Sequence, residues 1–418
     1  MVAALWTAVS VVVLLAQRQD AFQQPYNHPA IGYGTRPVHD RVAALNDKLD
    51  AGTAKLTFDR ASGYLPALLT ALDVPVESQM LVFSKTSAQF DRITPANPRA
   101  LFFNDTVAVG WVRGSDILEL AALDPQQGVG FYTIEQKAAE KPRLTKQVAE
   151  CLQCHLTWDT LAVAGLAQMS TFQMSDDPNA YANGIPVDQR TPFASRWGGW
   201  FVTGKAVPAR HLGNVPVIVP AAELAKPAQR PPVLQSVDGR FDTNGYLTHY
   251  SDVAALMVFG HQTHMTNLLT HLGWEARVAT ASDGPMPPRV ASAARDTADY
   301  MLFVDEPPIF AKIEGSSGFA EKFSASGPRD AKGRSLKELD LTRRIMRYPC
   351  SYMIYSDTFD ALPPVAKDAT YRRLWQVLSG QDTDKHYAHL ALADRQAIVE
   401  ILRATKKDLP AYFQAVTR

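Results

Sequence analysis

The sequence contains little sulfur and no excess of charge of either sign. Only three of its 418 residues are cysteine, and 42 basic residues balance 42 acidic ones. This neutrality argues against a surface for nucleic acid or anionic membranes, because such a surface needs a basic excess. Apolar residues make up 46% and charged residues 20%, which is the composition of a globular protein. The length suits two or three domains of usual size, or one large one.

Long apolar runs are also absent, except at the N-terminus. Residues 2–16 are apolar or small, and no charged residue precedes Arg18. A run of roughly 15 residues is shorter than the roughly 20 needed to span a bilayer, and it matches the apolar part of an export signal. We therefore expect residues 1–22 to be a signal peptide, with Ala16 as the cleavage position, or an N-terminal anchor or buried first helix. We expect no membrane span in the mature chain.

The segment between Ala100 and Ile134 has the pattern of short β-strands. Apolar stretches are separated by turn residues such as Asn104-Asp105, and this arrangement predicts a small antiparallel sheet. The predicted strands are 100–103, 107–112, 117–123 and 130–134.

Helical periodicity dominates the rest of the chain. It predicts a helix over about 252–272 and a C-terminal helical part that is clearest at 370–378 and 393–405. The loops are predicted at 220–232, 283–288 and 315–333. The fold class is thus α+β with more helix than sheet. We divide the chain into an N-terminal α+β region, residues 23–135, and a mainly helical region, residues 136–418.

The stretch "AECLQCHLTW", residues 149–158, contains two of the three cysteines and a histidine in the order C-x-x-C-H. Leu144, Val148, Cys151 and His155 recur at helical spacing after Pro142, which predicts that the motif ends a helix. Three chemistries use such a motif: a redox dithiol, half of a zinc site and a covalent haem anchor.

The haem anchor gives every residue of the motif a chemical role. On one helical turn Cys151 and Cys154 point to the same side, where their sulfurs can add to two vinyl groups, and His155 can then ligate the iron. Tetrahedral zinc needs four ligands, and Cys350 has no neighbouring cysteine. A thioredoxin-like dithiol would need a βαβ pattern and leaves the histidine without a role. A structural disulfide between the two cysteines remains an alternative.

The pentapeptide Cys151-Leu-Gln-Cys154-His155 resembles the haem-attachment motif of c-type cytochromes. More loosely, its combination with "FFNDTVAVGW", "RWGGWFVTG", "RHLGN" and "YPCSYMIYS" is similar to large bacterial proteins that carry one cytochrome-c signature. The resemblance implies one covalent haem c attached through Cys151 and Cys154, with His155 as proximal iron ligand. It also implies a periplasmic or otherwise exported location, redox chemistry and a redox partner protein. It implies nothing about a substrate.

A second axial ligand is harder to assign. Small cytochromes c use a methionine some tens of residues after the anchor, whereas here Met169 and Met174 follow closely and the next is Met257. The predicted helix over 252–272 places His261 and His264 within one apolar stripe. We predict His261 as the distal residue. The reserve candidates are His264, Met265 and His211. Core histidines with ordinary partners, or a separate metal on His261 and His264, are the alternatives.

Three functions fit these expectations. The first is a one-electron carrier, whose potential depends on the second ligand. The second is a haem enzyme, similar to a peroxidase or oxygenase, that uses the distal histidine as acid and base. The third is a haem-based sensor or scaffold. Electron transfer is favoured over catalysis, and whether the protein is an enzyme stays open. The length exceeds the roughly 100 residues of a simple carrier domain.

Overall fold

The computed structural model describes residues 26, 28–171, 184–215, 232–282 and 285–414. Within these residues the fold is α+β, with more helix than strand, a sheet in the N-terminal part and helices towards the C-terminus. This confirms the predicted fold class. The predicted signal segment 1–22, Met174 and residues 220–231 of one predicted loop lie outside the described residues. In the described parts of the chain, no helix has the length and apolar character of a membrane span.

The sheet is a six-stranded antiparallel meander in which each strand pairs with the next along the chain. All four predicted strands are present, and one further strand is added at each edge. The predicted turn at Asn104 is closed by its side-chain oxygen, which accepts from the backbone N–H of Val107 at 2.8 Å. The strands are β1 (Met80–Val82), β2 (Arg99–Phe103), β3 (Val107–Trp111), β4 (Ile117–Asp124), β5 (Gly128–Glu135) and β6 (Thr145–Gln147).

The two faces of the sheet pack against different parts of the molecule. Because side chains alternate along a strand and cross-strand partners share a face, the register assigns each residue to one side. One face packs on helices α1 (Arg41–Asp50) and α2 (Leu65–Ala71) through residues such as Phe102 and Leu120. The opposite side, here called the motif face, carries Arg99, Leu101, Phe103, Ala108, Gly110, Glu119, Ala121, Phe131 and Thr133.

The C-x-x-C-H motif directly follows the sheet, on the short helix α3 (Ala149–His155). The predicted helix is correct at the motif but wrong before it, because Thr145–Gln147 extend the sheet as β6. Leu144 is buried there, and the Asn46 side chain hydrogen-bonds both its N–H and its carbonyl group. Because the backbone of residues 144–147 is hydrogen-bonded to Asn46 and to β5, these residues do not join the helix. Strand β6 also lies beyond residue 135, so the sheet continues into the region that we predict as mainly helical.

The remaining elements surround one long helix. A two-stranded hairpin of β7 (Gln168–Thr171) and β8 (Gly184–Val187) precedes α4 (Val253–Thr280), which is buried on most of its circumference. Asp252 caps the start of α4, with Oδ1 accepting from Ala254 N and Oδ2 from Ser316 N and Ser317 N, each within 2.9 Å. The later helices are α5 (Pro288–Met301), α6 (Phe319–Ala325), α7 (Asp357–Asp360), α8 (Pro364–Leu378) and α9 (Leu392–Thr405).

The predicted C-terminal helices are confirmed, and the loop predicted over 315–333 is wrong in part, since it contains α6. The reason is packing: Phe319 and Phe323 on that helix are buried, and their rings lie 5.5 Å apart. Glycine and serine residues around the helix hide its short apolar pattern in the sequence.

Candidate functional site

Helix α3 places the three motif residues in different surroundings. Cys151 is partly buried and, with Leu152, contacts a cluster of Ala121, Val129 and Phe131 on the sheet. Cys154 is exposed, and both cysteines are free thiols. The motif therefore lies between the motif face of the sheet and solvent, and Cys151 is the more buried of its two thiols.

The His155 imidazole is held in one tautomer. Its Nδ1 lies 3.1 Å from the carbonyl oxygen of Gly165, and a carbonyl only accepts, so Nδ1 carries the proton and donates it. The ring of Phe131 lies 4.5 Å from the imidazole ring at 31°. Burial, and to a smaller extent the charge of Arg99, lowers the pKa of His155 to about 4. The ring is thus neutral at pH 7, and Nε2 keeps a lone pair that no group in the described residues uses.

Long helix α4 fixes the acceptor of that hydrogen bond. Asn267 on α4 donates to the carbonyl of Leu166 at 2.8 Å and accepts from the N–H of Leu166 at 3.2 Å. A Cβ at Gly165 would lie 2.1 Å from the Asn267 side-chain oxygen, so this close approach requires glycine. Gly165 N in turn donates to the His155 carbonyl at 3.0 Å. The imidazole is therefore oriented by a residue 10 positions further along the chain.

An apolar groove lies beside the motif, between the motif face and α4. Its free volume is about 30 Å³, and it is partly open to solvent. Its walls include Ala121 and Val129 of the cluster described above, and Leu166, which packs against that cluster as Cys151 and Leu152 do. This volume is far below the roughly 300–1,000 Å³ of pockets that bind small molecules and cofactors, so the groove is a shallow apolar surface and does not enclose a ligand. The groove and the motif thus share one apolar surface.

A charged pair lies on the same face of the sheet. Arg99 Nη2 and Glu119 Oε2 are 2.7 Å apart, and both side chains are mostly buried. Arg99 Nε is buried and has no hydrogen-bond partner in the described part of the chain. Sequence reasoning missed this pair, as it missed Gly165 and Asn267, since no local pattern connects these residues to the motif.

The predicted distal residue, His261, lies in a polar network inside the core. Its Nδ1 donates to Gln189 Oε1 at 2.5 Å, and its Nε2 accepts from Ser351 Oγ at 2.8 Å. The ring stacks on Phe303 and Tyr300, with centroids 4.7 and 5.4 Å away. Both ring nitrogens are engaged, and none of these residues contacts His155. His261 as iron ligand therefore stays a prediction, and it would require Nε2 to leave Ser351.

The groove and the predicted distal histidines occupy opposite sides of α4. Phe259, Gln262, Thr263 and Thr266 line the groove, and at about 100° per residue they share one face. His261 and His264 lie on the other side by the same geometry. The apolar stripe in the sequence identifies a buried face of this helix. It does not identify the face beside the motif, because α4 is buried almost all round.

The structure places the reserve candidates in separate surroundings. His264 Nε2 lies 3.0 Å from the Arg190 guanidinium, and Met265 is fully buried in the main core. His211 is buried beside Trp197, and its Nδ1 accepts from Gly213 N at 3.0 Å. None of them contacts the motif helix through these partners, so their role as ligands also stays a prediction.

We expect His261→Ala to lower the stability of the protein, and its absorption spectrum tests the predicted iron ligation. The substitution removes a buried ring and leaves Gln189 and Ser351 without a partner, which costs about 3–5 kcal/mol of the free energy of unfolding. Denaturant unfolding and the ferric spectrum check both parts. His264→Ala, at a partly exposed ring, is the control with the smaller loss. A change from low-spin to high-spin iron in His261→Ala would instead identify His261 as a ligand.

Two other interpretations of the motif find little support. Among the described residues no group of three or more His, Cys, Asp or Glu side chains is arranged to hold a metal ion. Burial raises the pKa of the Cys151 thiol to about 11, whereas a redox-active dithiol needs a lowered thiol pKa.

Comparisons with known proteins add nothing to this site. No protein-family model, no curated protein and no solved structure matches the chain. The resemblance to c-type cytochromes accordingly rests on the pentapeptide and the looser sequence features, and the functional argument rests on the chemistry of the site.

Proposed function

We propose that this protein is an exported, periplasmic haem c protein that transfers electrons through a single haem held by Cys151, Cys154 and His155. The observation that carries the proposal is the state of His155. Its Nδ1–H donates to a backbone carbonyl, which is the usual second partner of a metal-ligating histidine, and Nε2 remains free. This imidazole lies on the same helical turn as two free thiols.

The residues around the motif fit a macrocycle attached at this helix. The thiols of Cys151 and Cys154 are the two atoms that form thioethers. The groove supplies an apolar wall next to Cys151, and the unpartnered Nε–H of Arg99 is a donor suited to a carboxylate such as a propionate. The thiols, the apolar wall and the Arg99 donor that would hold a haem therefore lie on the same side of the sheet.

Each residue contributes a separate part of the function. When bound, the haem supplies a one-electron redox couple. Gly165 and Asn267 orient the His155 ring, and Phe131 covers one side of it and excludes water. Cys154 is exposed, and Trp158 a few residues later exposes 67% of its surface. This exposed side of the motif is where we expect a redox partner protein to approach.

The groove favours electron transfer over the peroxidase-like alternative. An enzyme of that kind uses a histidine as acid and base on the distal side. In the described residues the α4 wall of the groove presents Phe259, Gln262, Thr263 and Thr266, and no histidine is among the lining residues. Amide and hydroxyl groups do not exchange protons with the required pKa near 7, so these four residues could not supply the acid and base of a peroxidase.

The proposal is tested on the wild-type protein, produced in a host that matures c-type cytochromes. We expect an intact mass equal to the exported chain plus one haem, and ferric and ferrous spectra that do not change with peroxide or carbon monoxide. A mass equal to the polypeptide alone contradicts haem attachment. Rapid reaction with peroxide would favour the enzyme, and binding of carbon monoxide without turnover would favour the sensor.

A further inference from the structure

The further inference concerns the charged pair on the motif face. Arg99 on β2 and Glu119 on β4 are separated by strand β3, and the guanidinium crosses that strand above Gly110. A Cβ at Gly110 would lie 2.3 Å from Arg99 Nη2, so any other residue would force the guanidinium to shift. Glu119 Oε2 also accepts from Ser87 Oγ at 3.0 Å and from Gln89 Nε2 at 2.8 Å. The pair is thus built into the sheet and held by several donors.

The register of the sheet places this pair beside the motif. Glu119 precedes Ala121 by two residues on β4, so both point to the motif face. Ala121 is the cross-strand partner of Phe131, whose ring lies 4.5 Å from the ring of His155. Two residues along a strand correspond to roughly 7 Å. Glu119 is therefore displaced by about this distance along the sheet from the pair of Ala121 and Phe131.

We infer that Arg99 and Glu119 set the reduction potential of the iron ligated by His155, each opposing the other; this inference rests on the proposed function. Ferric haem carries one more positive charge than ferrous haem. A nearby cation therefore favours the ferrous state, and a nearby anion favours the ferric state. The side chains are only 18% and 19% exposed, so solvent screens their charges weakly.

When both side chains are present, their opposite effects on the reduction potential nearly cancel. Removal of one partner leaves the other as an uncompensated charge close to the iron. A substitution of Arg99 or Glu119 would therefore change the reduction potential without a change of axial ligand. This is a role beyond that of a simple ion pair that stabilises a sheet.

The test compares Arg99→Gln, Glu119→Gln and the double variant, after mass spectrometry has shown one haem in each. Midpoint potentials are measured by spectroelectrochemistry at pH 7. We expect a lower potential for Arg99→Gln and a higher one for Glu119→Gln. At a fixed ambient potential the ferrous-to-ferric ratio should change roughly tenfold in opposite directions, the effect of one charge about 10 Å away at an effective dielectric constant near 20. The double variant should return close to the wild-type value.

An exposed pair provides the matched control. Arg92 and Asp116 are 2.8 Å apart, with side chains 47% and 89% exposed. Arg92→Gln and Asp116→Asn should leave the potential unchanged, because water and salt screen exposed charges. If Arg99→Gln yields no folded protein, Glu119→Gln still tests the sign, and Arg99→Lys should keep the wild-type potential.

The outcomes separate the inference from the proposed function. Potentials that move in the same direction in both single variants, or in neither, overturn the inference while haem attachment stands. A purely structural pair would produce that result, since it would lower stability in both variants without opposite electrochemical shifts. Absence of haem from the wild-type chain overturns both proposals.

Discussion

Replacement of both Cys151 and Cys154 by serine abolishes covalent haem attachment. Serine hydroxyls do not form the thioether bonds that hold the macrocycle, so the loss should be complete. Intact mass spectrometry and haem staining after denaturing electrophoresis check this result. Either single variant keeps one thiol, and we expect reduced haem content with one remaining thioether. Under the proposed function the partly buried Cys151 and the exposed Cys154 would each contribute one bond.

The third cysteine provides the control for this experiment. Cys350 is a free thiol that is fully buried in the main core, away from the motif helix. Burial raises the pKa of its thiol to about 12, so it is unreactive at pH 7. Cys350→Ser should therefore retain one full equivalent of haem. Two results would contradict the assignment of residues 151–155 as a haem-attachment motif. One is haem retained by the Cys151→Ser, Cys154→Ser double variant, and the other is haem lost from Cys350→Ser alone.

Substitution of His155 by alanine should leave the haem covalently bound and remove its proximal ligand. The thioethers do not depend on the imidazole, so the mass is unchanged. The ligand field does depend on it, and we expect the ferric absorption and EPR spectra to change throughout the sample. Free imidazole added to His155→Ala should restore most of the wild-type spectrum by occupying the vacated position.

A surface histidine is the matched control for that variant. His249 pairs with Asp238 and its side chain is 56% exposed. His249→Ala should retain the wild-type spectrum in both oxidation states. An unchanged spectrum in His155→Ala, at full haem occupancy, would show that another residue ligates the iron from the proximal side.

The fold was largely predictable where the sequence pattern is local. The four central strands alternate or run apolar between short turns, and the structure has them within two residues of the predicted bounds. The edge strands β1 and β6 were missed because each has only three residues, and their partners lie elsewhere in the chain. Helix α6 was missed for a related reason, since two buried phenylalanines stabilise it against a glycine- and serine-rich background.

The contacts of the predicted site residues could not be predicted from the sequence. His261 was singled out because it lies in an apolar stripe, and the structure shows it fully buried. Burial alone did not reveal its partners, Gln189 and Ser351, which come from segments 72 and 90 residues away in the chain. A helix that is buried on all sides gives no sign in its sequence of which side faces the motif.

The sequence by itself determined the chemistry of the motif, because two thiols and an imidazole within five residues share one helical turn wherever that helix is placed. It also determined the meander, because neighbouring strands connected by short turns pair with each other. Only the tertiary structure decided which imidazole nitrogen of His155 is free and which charges lie beside it. Gly165, Asn267, Arg99 and Glu119 reach the motif through strand register and helix packing, and such contacts between distant segments depend on the whole core rather than on any local pattern.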